Sequence, residues 1–212
     1  MIRFTFFGIP VEIQPWFWVI LAVIGSSFGR IGASANEALV VALFVIAGGL
    51  SIFVHELGHA LTGKYFRARP HVVLHGFGGH TAFPGARFTR MQSFVQTAAG
   101  PVVQLILGGI AFGVLLSPLE FSPMFKAFIY FLFSVSVFWA LLNLIPVFPL
   151  DGGQMLAAAL GPQRRKLCLQ ISIAAAVIGA ILLWKFGIGI FMPIFLLFFA
   201  WQNYQELRDN GY

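Results

Sequence analysis

The sequence predicts an all-α polytopic membrane protein of about six transmembrane helices, one of them broken, with short β-strand or hairpin segments near residues 2–14 and 68–88. Three observations predict it. Of 212 residues, 59% are hydrophobic and only 9% charged, with a mean hydropathy of +0.89. A soluble domain carries about 25% charged residues, so there is too little polar surface here to coat a globule. Apolar runs recur near the length of about 20 residues that a spanning helix needs. Lysine and arginine gather on alternate connections between those runs.

Residues 2–14 alternate loosely and contain Gly8 and Pro10, which suits short strands ahead of the membrane. "PWFWVILAVIGSSFG" (15–29) is a short first span with Trp16 and Trp18 as interface anchors. Residues 35–66 form a long second span. Residues 67–90 are basic and rich in Gly and Pro, so they form a loop or hairpin. Residues 91–119 make the third span, with Pro101 as an expected kink. Residues 124–161 are too long for one simple span and are interrupted at their centre. Residues 167–186 and 187–207 complete the set. No leader with a cleavage site is apparent, and 1–212 reads as a single membrane-embedded domain. Cys168 is alone and is expected to be an inert buried thiol.

With the N-terminus in the cytoplasm, Arg3, Lys64, Arg67, Arg69, Arg87, Arg90, Arg164, Arg165, Lys166 and Arg208 share one side. Arg30, Lys126 and Lys185 fall on the other. This positive-inside bias places both termini in the cytoplasm. It accounts for the net charge of +6 without nucleic acid, and no base-stacking or base-reading motif occurs.

"SIFVHELGHALTG" (51–63) puts His55, Glu56 and His59 in the middle of the second span. Each charged group at the membrane centre costs about 2.5–3.5 kcal/mol on an insertion scale. Histidines at i and i+4 lie one turn apart on a helical face, so both can reach one metal ion. Glu56 is the next residue round the helix, placed to act on water without being a ligand. This is the H-E-x-x-H pattern of zinc hydrolases. The competing reading is a buried polar network that holds helices together.

A catalytic zinc usually takes three protein ligands. Asp151 is the best third candidate. It lies in "NLIPVFPLDGGQ" (143–154), where Pro146 and Pro149 break the fourth span and Gly152 and Gly153 permit close backbone approach. Irregular backbone at membrane depth belongs in a cavity lined by protein or water. Asn143 is a polar donor nearby, and Asp151 can also cap the helix that follows. His71, His75 and His80 are expected to be interfacial or structural, with His80 the spare ligand candidate.

"HELGH" (55–59) and "NLIPVFPLDGG" (143–153), in this order and in separate spans, resemble the site-2 proteases, a family of intramembrane zinc metalloproteases. "GFGGHTAF" (76–83) resembles that family's glycine-bearing hairpin, and "AAGP" (98–101) an element of its third span. The resemblance implies one zinc ion held by His55, His59 and Asp151, with Glu56 as general base and acid. It implies that Asn143 holds the substrate or the developing oxyanion. The substrates it implies are membrane-spanning proteins, cut within the bilayer of a prokaryotic cell. "HVVLHGFGGHTAF" (71–83) reads as two strands about a glycine turn, and its edge can receive an extended substrate, with Gly76, Gly78 and Gly79 as candidate contacts. The alternative for this loop is a basic anchor to anionic lipid. No insertion the size of a PDZ or nucleotide-sensing domain is visible, so selection and gating are left to this core or to a regulatory membrane partner. A zinc-binding transporter or a non-catalytic binding protein is the alternative function.

Overall fold

A computed structural model describes residues 1–29, 37–187 and 190–209. Arg30, assigned above to the non-cytoplasmic side, lies outside them. So do the first residues of the expected second span and residues 188–189 of the last. The elements run β1 (Ile2–Phe6), β2 (Ile9–Ile13), α1 (Pro15–Gly29), α2 (Glu37–Tyr65), β3 (His71–His75), β4 (Gly78–Ala82), α3 (Arg90–Leu116), α4 (Pro123–Leu144), α5 (Asp151–Leu160), α6 (Arg165–Lys185) and α7 (Phe191–Asp209). They group into two compact units. One comprises Met1–Arg87 and Ala99–Ala140, the other Phe88–Ala98 and Leu141–Tyr212.

The first unit holds a four-stranded sheet in the order β1-β2-β3-β4. β1 and β2 form a hairpin about Phe7 and Gly8, both at positive φ (47° and 71°), as a tight two-residue turn demands. β2 and β3 run parallel, with Val11 opposite Val72 and Ile13 opposite Leu74. β3 and β4 are antiparallel, from His71 opposite Ala82 to His75 opposite Gly78. The period of two sends Ile9, Val11, Ile13, Val72 and Leu74 to one buried face, which joins a core with Phe17, Leu21, Phe44 and Ile52. Small residues let α1 approach α2: a Cβ on Gly48 would lie 3.2 Å from Leu21, and one on Gly49 would lie 3.1 Å from Trp18. Lys64 Nζ, at the end of α2, donates to Phe7 O at 2.6 Å and fastens the first hairpin to that helix.

The second unit packs Val147, Ala176, Ala180, Leu196 and Phe199 into its own core. Its irregular segment, 145–150, is held by side chains that bond its backbone. Asn203 Nδ2 donates to Phe148 O at 2.6 Å, Phe148 N–H donates to Ser172 Oγ at 3.1 Å, and Gln154 Nε2 donates to Pro149 O at 2.9 Å. The Arg165 guanidinium lies 4.2 Å over the Phe148 ring and pairs with both carboxylate oxygens of Glu206.

Among the described residues, four helices are long and apolar enough to cross a membrane: Glu37–Tyr65, Arg90–Leu116, Pro123–Leu144 and Pro162–Lys185, the last counted with the turn before α6. α1, at 15 residues, falls short of the length of about 20 that a perpendicular span needs. In α7 the apolar run stops at Trp201 and gives way to Gln202, Asn203 and Gln205. Large apolar side chains stand outward on these helices, among them Ile106, Ile110, Ile178 and Ile181, as lipid contact requires. The chain is an integral membrane protein.

Candidate metal centre and active site

α2 carries the site because its sequence is apolar and unbroken, which fixes the i, i+4 register over two turns. His55, Glu56 and His59 are all buried. The two imidazoles converge, with His55 Nε2 and His59 Nε2 3.1 Å apart and the rings nearly perpendicular at 84°. Two nitrogens each about 2.0–2.1 Å from one tetrahedral ion are separated by about 3.3 Å, so the pair fits a shared metal.

The candidate metal-ligating side chains are His55 and His59 in the first unit and Asp151 in the second, all buried. Two imidazoles and a carboxylate form the donor set of a catalytic zinc that keeps a fourth position open. Zn2+ is the cofactor this set suits. Asp151 is the first residue of α5. The helix cap is Leu150 with no side-chain capping bond, so the expected capping role of Asp151 gives way. Its carboxylate sits one residue inside the helix, beyond the cap position.

Glu56 is oriented by the second hairpin. Thr81 Oγ1 donates to Glu56 Oε2 at 2.6 Å and lies 3.2 Å from Glu56 O. Gly79 shares a strand face with Thr81, and a Cβ there would stand 2.3 Å from Glu56 Cγ. The predicted contact glycines therefore divide. Gly79 packs on Glu56, whereas a Cβ on Gly78 (φ 120°) would meet Trp139 at 3.0 Å, and one on Gly76 would meet Ile20 at 3.3 Å. The "AAGP" element also gains a physical reason. A Cβ on Gly100 would lie 2.3 Å from His59 Nε2, and one on Gly58 would lie 2.6 Å from Ala99 O. Glycine at 58 lets α2 lie against the α3 backbone beside the histidines, and glycine at 100 leaves space for the His59 ring.

A buried chain of polar side chains runs away from the metal side. His55 Nδ1 lies 2.9 Å from Gln104 Oε1. Gln104 Nε2 donates to Ser51 Oγ at 2.8 Å, and Ser51 Oγ lies 2.9 Å from Ser136 Oγ. Gln104, Ser51 and Ser136 are fully buried. A buried amide without partners costs at least about 1–3 kcal/mol, so this network is a constraint on the fold as well as on the site.

Asn143 is half-buried in the last turn of α4, one unit with Asp151 in chain order. His71, His75 and His80 are on β3 and β4, outside the metal group. Burial holds the His75 imidazole below its ordinary pKa; the Glu56 carboxylate opposes this and His80 adds to it. Sequence reasoning missed Thr81, Gln104, Ser51 and Ser136. The signal available for Thr81 was its position two residues after Gly79 in a predicted strand. For Gln104 it was a lone amide inside an apolar helix.

Comparison with known proteins agrees with this chemistry. The model for peptidase family M50 matches residues 119–186. A Synechocystis protein named for zinc metalloprotease activity is 28% identical across 98% of this chain and 59% of its own length. A zinc metalloprotease of Methanocaldococcus jannaschii is 28% identical across 97% of this chain and 60% of its own. Stage IV sporulation protein FB of Bacillus subtilis is 25% identical across 96% and 68%. The chain thus spans less than two thirds of the length of the first two relatives. The solved structure of the site-2 protease from Methanocaldococcus jannaschii superposes with a TM-score of 0.63 at 26% identity, covering 97% of this chain and 94% of that one. Residues 119–186 thus match the model for peptidase family M50, and the chain is similar in sequence and fold to a solved site-2 protease.

Proposed function

We propose that this chain is an intramembrane zinc metalloprotease that hydrolyses peptide bonds of membrane-spanning substrates. The observation that carries the reading is the buried α2 segment itself. Its two histidine nitrogens converge to 3.1 Å while Glu56, the residue between them in sequence, is turned to Thr81 instead. A transport site has no use for a carboxylate held in this way beside the ligand pair.

His55 and His59 are two ligands and Asp151 is the third. A zinc ion held there would lower the pKa of water towards about 7 and polarise a carbonyl. Glu56 takes the proton from the attacking water and later delivers it to the leaving amine. Asn143 donates to the substrate or to the developing oxyanion. A helical peptide bond is shielded by its own hydrogen bonds, so the substrate must be extended when cut. β4 ends the sheet order, and its edge suits strand addition by an extended substrate.

In this reading residues 1–212 act as one domain, α1 and α7 complete six spans, and both termini are cytoplasmic. The basic residues Arg67, Arg69, Arg87 and Arg90 between α2 and the start of α3 support that orientation. The substrates are proteins of a prokaryotic cell membrane, with a regulatory membrane partner governing access.

The test compares wild type with Glu56→Gln, both purified in detergent, for bound zinc and for cleavage of single-span substrates. Zinc in both and cleavage by wild type alone supports the reading. Equal cleavage by both, or zinc without cleavage in either across a broad panel, counts against it. Absence of zinc from folded wild type removes the metal site.

A further inference from the structure

We propose that Gln104 is a positioning residue that sets the tautomer and ring orientation of His55 for metal binding. The inference rests on the zinc-site reading above. Its logic is one of donors and acceptors. Ser51 O is a carbonyl and only accepts, and it lies 3.4 Å from one end of the Gln104 amide. That end is therefore the nitrogen, which also donates to Ser51 Oγ at 2.8 Å. The amide oxygen then faces His55 Nδ1 at 2.9 Å, and an amide oxygen only accepts. His55 must carry its proton on Nδ1. Its Nε2 lone pair then points to the metal side, 3.1 Å from His59 Nε2.

The chain does not end at Ser51. Its hydroxyl accepts from Gln104 and shares a further hydrogen bond with Ser136 Oγ at 2.9 Å. Residues from α2, α3 and α4 thus fix one amide in one orientation, with no exposed member to be reoriented by solvent. A metal-ligating histidine whose second nitrogen donates to a fixed acceptor loses its wrong tautomer, and removing such an acceptor typically costs about 10–100-fold in metal affinity.

The experiment uses the full chain in detergent with zinc as the probe. Zinc affinity is measured by chelator competition for wild type, Gln104→Leu and Gln104→Glu. The histidine tautomers of the metal-free proteins are read at pH 8 from nitrogen-15 spectra. We expect His55 to be protonated on Nδ1 in wild type and redistributed towards Nε2–H in Gln104→Leu. We expect zinc affinity to fall about 10–100-fold in Gln104→Leu and to be restored to within about threefold in Gln104→Glu, which keeps the acceptor. Wild-type affinity in Gln104→Leu overturns the proposal, as does an Nε2-protonated His55 in wild type. Equal loss in both variants, together with loss of cooperative unfolding, assigns Gln104 to the fold alone and overturns it too. Because the tautomer is read without metal or substrate, a wild type that binds no zinc or cleaves nothing defeats the zinc or protease reading separately from this one.

Discussion

The two regions that carry the candidate ligands are held by different physics. In α2, register does the work: a regular helix places His55 and His59 one turn apart, and side chains from β4 and α3 then fix their surroundings. In 145–153 there is no register to rely on. A Cβ on Gly152 would lie 2.3 Å from Leu144 O, and one on Gly153 would lie 2.3 Å from Phe148 N, so the broken backbone folds onto itself. Asn203, Ser172 and Gln154 then satisfy the peptide groups that the break exposes. A regular element needs its side chains oriented. An irregular one in an apolar setting needs its backbone satisfied first.

That contrast can be broken or sharpened by mutation. Glu56→Gln, on the regular side, should leave zinc bound and reduce cleavage by about 10²–10⁴-fold, the usual contribution of a general base. Gly153→Ala, on the irregular side, should instead lower stability by about 1–3 kcal/mol through overpacking, with zinc and activity falling together; the thermal unfolding midpoint and zinc content check it. Gly58→Ala makes the same kind of demand inside α2, and if it proves as damaging, close backbone approach matters in both regions. Thr81→Val should lower the cleavage rate about tenfold at unchanged zinc content, since it removes one hydrogen bond to a carboxylate worth about 1.5–3 kcal/mol at most. Arg165→Met should shift the unfolding midpoint least, because the partly exposed pair with Glu206 is worth about 1 kcal/mol or less.

The regular side was the more legible in sequence. H-E-x-x-H is local, and in a chain this poor in charge its residues are conspicuous. Pro146, Pro149, Gly152 and Gly153 also announced a break where one occurs. The strands near 2–14 and 68–88 were visible through their alternation and turn glycines. Their union through the parallel β2–β3 pairing was not, since two helices separate those strands in sequence. Nor could Gln104 be matched to His55 across 49 residues, because a lone amide in an apolar helix has many conceivable partners. Counting apolar residues suggested about six spans, yet it could not weigh the 15-residue length of α1 or the polar end of α7 against the four helices that meet the requirement alone.

Gly79 and Gly100 border Glu56 and His59 with main chain rather than with side chains. A surface made of main chain has no rotamers to flip. A group seated beside Glu56 and His59 would meet main chain that cannot swing aside, and a bulky one could be admitted only by moving a whole strand or helix. Selectivity among small molecules should consequently be steep in steric size and nearly indifferent to side-chain plasticity.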